Sequence, residues 1–132
     1  MKKLTYEQAK RRADEMADGL GKPVEHGIKE LVISLWMLGI ETSSSCEGHV
    51  EQRLPYPWVF IAPESRDRAM REIMASNLRN LDGGGKYHQN VWVFHPFGKG
   101  RHLRITPWDV KRPLSELQAD ALELAMYLRQ NC

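Results

Sequence analysis

The sequence predicts an α+β fold: a two-layer sandwich whose antiparallel sheet of about four strands carries helices mainly on one face, in the order ααββαββα. Three observations predict it. Apolar residues recur at helical spacing in several segments, and two other regions each hold a pair of short β-branched and aromatic runs separated by turn residues. The 132 residues, 42% hydrophobic and 27% charged, are also enough for one core. With no long glycine-rich linker and no repeat, a single domain spanning residues 1–132 is expected.

Thr5 and Gln8 have capping-box spacing, so a first, mostly charged helix is predicted over Tyr6–Asp18, ended by Gly19 and Gly21. Pro23 is expected to open a second helix, where Ile28, Leu31, Val32, Leu35 and Trp36 follow the spacing of one apolar face and Gly39 closes it. Between Ile40 and Pro63 the helical period disappears. Small polar residues give way to Pro55-Tyr56-Pro57 and then to Trp58-Val59-Phe60-Ile61, which predicts two strands joined by a loop.

Ser65 is the expected cap of a third helix with Met70, Ile73, Met74, Leu78 and Leu81 on one stripe, stopped at Asp82-Gly83-Gly84-Gly85. Val91–Phe94 and His102–Thr106 flank the turn-rich Pro96-Phe97-Gly98-Lys99-Gly100, as the strands of a second hairpin do. Pro113 and a Ser115/Gln118 box then start a last helix with Leu117, Ala121, Leu124 and Leu128 inward.

Leu31–Ile40 is the longest strongly apolar stretch and falls far short of the roughly 20 residues that cross a bilayer, so no membrane partner is expected. Met1-Lys2-Lys3 is followed by charged, helix-like sequence instead of a signal peptide's apolar core. Only Cys46 and Cys132 are present, which argues against a disulfide framework. A cytoplasmic protein is therefore expected. The net charge of +2 does not by itself announce a nucleic-acid binder, so local clusters carry that question.

The segment Thr42-Ser43-Ser44-Ser45-Cys46-Glu47-Gly48-His49 is the expected functional spot. Hydroxyls, a thiol, a carboxylate and an imidazole crowd into eight positions, more reactive groups than a structural turn requires. Cys46, His49 and Glu47 are the catalytic candidates, because a cationic imidazole near a thiol favours the thiolate. Ser44, Ser45 and Gly48 are ligand-binding candidates, serine oxygens and a close backbone approach suiting a phosphate or carboxylate. The plainer account makes Cys46 a small buried apolar residue and the serines a hydrogen-bonded turn.

Cys-x-x-His supplies two of the ligands a zinc site needs, leaving His88, His95, His102 or Glu47 to complete it; no second paired motif exists, and no metal ligand is assigned. A basic cluster, Lys99, Arg101, His102, Arg104, Lys111 and Arg112, surrounds the second hairpin. Alternation puts His102, Arg104 and Thr106 opposite Leu103 and Ile105, so Arg101 and Arg104 are the phosphate-binding candidates, with Trp92, Phe94, Phe97 and Trp108 nearby in sequence for stacking. Arg66, Arg68, Arg71 and Arg79 are accounted for by helical ion pairing. Arg53, Tyr56 and Trp58 are expected to form one wall of a pocket.

The run Leu38–Val50, with Thr42-Ser43-Ser44-Ser45-Cys46-Glu47-Gly48-His49 at its centre, resembles the Thr-Ser-Ser-Cys-Ser-Gly-Arg core of the tRNA wybutosine-synthesising methyltransferases of that pathway's third step. It is also similar to the Ser-Cys-x-Gly-His core of small uncharacterised bacterial and phage proteins, the closer match. The likeness covers about a dozen residues, with His49 standing where the methyltransferase motif has arginine and Glu47 replacing a small residue. It implies that Ser44, Ser45, Cys46 and Gly48 line a ligand site near a sheet. No glycine loop for S-adenosylmethionine and no phosphate cradle accompanies it, so the cofactor is unknown.

Two readings follow. The first is a nucleotide- or RNA-directed enzyme or binding domain, with the Ser44–His49 loop at the ligand and Arg101 and Arg104 on phosphate. The second is a non-catalytic interaction domain, a homodimer in its simplest form, whose exposed aromatics meet a partner, or else a Cys/His metal-binding domain.

Overall fold

The computed structural model describes residues 1–15, 23–49, 54–82 and 90–132. The chain runs through α1 (Tyr6–Glu15), α2 (His26–Met37), β1 (Thr42–Cys46), β2 (Trp58–Ile61), a 3-10 turn (Pro63–Ser65), α3 (Arg66–Asp82), β3 (Trp92–Phe97), β4 (His102–Pro107) and α4 (Leu114–Arg129). This is the expected ααββαββα order. The four strands form one antiparallel sheet in the order β1-β2-β4-β3.

The α1 capping box forms: the Thr5 N–H donates to Gln8 Oε1 at 3.0 Å and the Gln8 N–H to Thr5 Oγ1 at 3.2 Å. The expected continuation to Asp18 and its glycine stop lie outside the described residues. Pro23 does not open α2. The Val24 N–H is bonded to the Ala13 carbonyl, which ties this segment to the last turn of α1, and Glu25, in extended conformation, becomes the N-cap residue. The predicted apolar face of α2 is fully buried, and Gly39, at φ +76°, closes the helix with bonds from the Gly39 N–H to Trp36 and the Ile40 N–H to Leu35.

One sheet face packs against the helices. Val59, Ile61, Leu103 and Ile105 are completely buried there, in one core with Trp36, Ile73, Trp92 and Leu124. At the β1 end, the Trp36 indole donates to Thr42 Oγ1 at 3.1 Å while the Arg12 guanidinium lies over its ring and pairs with Glu41. These contacts fix α1, α2 and the start of β1 together.

Two expected caps are corrected. Ser65 is buried in the 3-10 turn, where its hydroxyl accepts the Glu41 N–H at 2.8 Å instead of capping α3. The α4 N-cap residue is Pro113, and the Gln118 amide donates to the Glu47 carbonyl at 3.0 Å instead of closing a box with Ser115. In both cases a tertiary partner outcompetes the local one.

The expected α3 stripe also divides. Ile73 is buried, but Met74, Leu78 and Leu81 are exposed, because α3 turns the buried Ser76, Asn77 and Asn80 inward, and the two asparagines bond the chain at the start of β3. Among the described residues its arginines form no i,i+4 ion pair: Arg66 reaches its neighbour Asp67 at 4.0 Å, Arg68 donates to the Leu38 carbonyl and Arg79 lies over the Tyr127 ring. The glycine stop at 83–85 lies outside the described residues. The strands of the second hairpin reach Phe97 and Pro107, further than predicted, and Gly98, Lys99 and Gly100 all have positive φ in the turn between them. Among the described residues no helix is long and apolar enough to cross a membrane.

Candidate functional site

The expected segment forms β1 and the turn leaving it. Gly48 has φ +89°, a conformation that side chains disfavour, and it swings the chain back so that His49 meets Cys46. The third member is the N-cap residue of α2: ligand atoms of Glu25, Cys46 and His49 all lie within 4.8 Å of one another. His49 Nε2 is 2.7 Å from Glu25 Oε2, the Glu47 N–H donates to Glu25 Oε1 at 3.0 Å, and the Gly48 N–H donates to Cys46 Sγ at 3.4 Å. Glu25 thus leaves its own helix uncapped. The Glu47 carboxylate takes that role, accepting the Gly27 N–H, and so stays out of the cluster.

The electrostatics follow from these contacts. Burial pushes the Glu25 carboxyl up, but the Glu47 N–H and the His49 ring outweigh it, and the group sits below the usual carboxylate value. Burial pushes the Cys46 thiol up; the Gly48 N–H offsets part of this, and the Glu25 and Glu47 carboxylates add to it. An activated nucleophile needs the opposite, an electropositive setting. Cys46 is buried, while the His49 and Glu25 side chains are 29% and 32% exposed, so solvent reaches the cluster.

Ser44 and Ser45 part company. Ser44 is opposite Phe60, Phe60 opposite Arg104 and Arg104 opposite His95, one row across all four strands on the face without helices. Ser45 is opposite Val59, a core residue. On the same open face Trp58 and Phe60 have ring centroids 4.7 Å apart, Phe60 and Phe97 5.2 Å, and Phe97 and His102 5.0 Å. Cys46 pairs with Trp58, so the cluster adjoins this aromatic row.

Of the aromatics expected to stack, Phe97 belongs to the row, Trp108 is exposed, Trp92 is buried and Phe94 packs against the core. The strand segments contain no Asp or Glu, and among the described residues Lys99, Arg101 and Arg104 form no ion pair. Arg104 Nε is buried without a hydrogen-bond partner. Arg101 is exposed in the turn. Arg112, by contrast, is bound to Asp120 and Glu116, and the Tyr56 backbone lies against Gly48. Arg53 and His88 lie outside the described residues.

His95 and His102 share the open face but do not oppose each other; His95 bonds Thr106 Oγ1 at 2.8 Å and faces Arg104. Burial, then the Arg104 charge, holds the His95 imidazole below its ordinary 6.5. The unfolded chain therefore binds the proton more readily, and stability falls as pH drops from that ordinary value toward the lower folded one. Between about pH 7 and about pH 5 the urea midpoint of the native protein should fall more than that of His95→Gln. Parallel curves for the two proteins would refute this.

Sequence reasoning missed Glu25, whose position just before a helix reads as an ordinary charge at a helix N-terminus. It placed Trp58 beside the Cys46 segment, where the strand pairing has it, but missed that Trp58 and Phe60 continue the row to Phe97, because only strand register shows which residues share a face. A separate cleft of about 480 Å³ between α2 and α4, lined by His26, Gly27, Glu30, Ser115 and Gln118 among others, holds none of the candidates.

No family model matches the chain, and neither a curated protein nor a solved structure matches it.

Proposed function

We propose that this domain binds single-stranded nucleic acid, or the nucleotides that compose it, on the open face of its sheet. The carrying observation is the continuous row Trp58, Phe60, Phe97 and His102 beside Arg104, on strands that contain no acidic residue. Rings at the surface of a sheet offer bases a stacking partner, and every base has a π-face to stack. Arg104, which has no carboxylate partner among the described residues, and Arg101 and Lys99 in the adjoining turn supply the charge that phosphates require. Ser44, at the β1 end of the same row, adds a hydroxyl.

Fluorescence anisotropy with a short labelled single-stranded RNA, and with DNA of the same sequence, tests this. Phe60→Ala and Phe97→Ala should each weaken binding by about 1–3 kcal/mol, roughly 5- to 150-fold. Arg104→Ala should weaken it and reduce the slope of log affinity against log salt by about one. Leu122→Ala, on α4, should change nothing. Absence of binding at low salt, or binding indifferent to Phe97→Ala and Arg104→Ala, would exclude the reading. Stronger binding of the RNA would assign a role to its 2′-hydroxyls.

A further inference from the structure

We propose that Glu25, Cys46 and His49 form a transition-metal site that takes Zn²⁺ with three protein ligands and leaves the fourth position to water. The donor set is a sulfur, an imidazole nitrogen and a carboxylate oxygen, the three kinds of ligand zinc accepts. Around a tetrahedral zinc, ligand atoms sit about 3.3–3.8 Å from one another. Here they already lie within 4.8 Å, so small side-chain rotations close the site. The three residues come from the start of α2, the end of β1 and the turn beyond it, and each is anchored separately.

Charge supports a cation. The Glu25 carboxylate lies within 4.8 Å of the Cys46 sulfur, and an anionic oxygen beside a soft sulfur attracts a metal cation. A thiolate and a carboxylate together neutralise the two charges of Zn²⁺. Binding forms an S–Zn bond in place of the S–H bond, releases that proton to solvent, and replaces the direct His49–Glu25 contact with two metal bonds. The surrounding N–H groups then act as orienting partners, Gly48 on the sulfur and Glu47 on the carboxylate. The Glu47 carboxylate stays on the Gly27 N–H and leaves the fourth position open. Such three-ligand zinc sites polarise a bound water or substrate oxygen.

The experiment titrates the metal-free, reduced full chain with Co²⁺, follows the thiolate-to-cobalt charge-transfer band, and then displaces cobalt with Zn²⁺. One equivalent per chain with that band is expected. Cys46→Ser should abolish the band, and His49→Ala and Glu25→Gln should each weaken Zn²⁺ binding at least tenfold. Cys132→Ser should bind as the native chain does. A native chain that shows no band and retains no zinc overturns the proposal, as does a band that survives Cys46→Ser but disappears with Cys132→Ser. The native arm decides before any variant is made, so a variant that fails to fold does not protect the idea. Nucleic acid is absent from the assay, so its result is independent of the open sheet face.

Discussion

Asn77→Ala will destabilise the fold by about 2–4 kcal/mol, because it strands two backbone groups of a buried strand residue. The Asn77 side chain donates to the Trp92 carbonyl at 2.8 Å and accepts the Trp92 N–H at 2.9 Å, as a neighbouring strand would. β3 is an edge of the sheet, so among the described residues no strand lies on that side to replace it. Asn80 and Asn90 extend the same network, with Asn80 Nδ2 on the Asn90 carbonyl and the Trp92 indole on Asn90 Oδ1. Asn77→Asp keeps the acceptor and loses the donor, so it should fall between native and alanine at neutral pH. The exposed neighbour provides the control: Leu78→Ala should change stability by no more than about 0.5 kcal/mol. Urea unfolding of the four proteins checks the order, and an Asn77→Ala loss no greater than that of Leu78→Ala would show that water replaces both bonds without cost.

Gly48→Ala is expected to be as severe, by a different route. A non-glycine residue in the left-handed region costs about 1–2 kcal/mol. A Cβ at this position would also lie 2.7 Å from Leu114 Cδ1 and 2.8 Å from the Tyr56 carbonyl carbon. The leucine end can rotate away, but the Tyr56 backbone has to move, and crowding of that kind adds about 1–3 kcal/mol. The total is about 2–5 kcal/mol. Relaxation would displace His49 from Cys46, so site and fold should suffer together. Ser43→Ala, at an exposed position nearby, should be close to neutral. A Gly48→Ala protein within about 1 kcal/mol of native would mean that the turn tolerates a different backbone conformation.

Periodicity and punctuation determined the elements. α2 was legible because Ile28, Leu31, Val32, Leu35 and Trp36 repeat with the turn of a helix and Gly39 stops it, and all five are buried. The second hairpin was legible because glycines interrupt an alternating run, and Leu103 and Ile105 do face the core. The Thr5/Gln8 box formed because both partners lie within one turn. These signals are local, and the energies they report depend on neighbours a few positions apart.

What the tertiary structure decided depends on residues far apart in the chain. Ser65 and Gln118 gave up their expected caps to the backbone of Glu41 and Glu47. Met74, Leu78 and Leu81 were left outside because buried asparagines gain more from the β3 edge than water would give them. The Thr42–His49 segment identified itself by composition, and Cys46 and His49 did converge. Glu25, about twenty residues earlier, carried no mark of its own, because its partners are a histidine beyond a left-handed glycine and a backbone N–H on another element. By itself the sequence determined which segments are helix and strand and where reactive groups concentrate. Folding decided which of those groups meet, since contact across elements is set by the packing of whole faces and the register of the sheet.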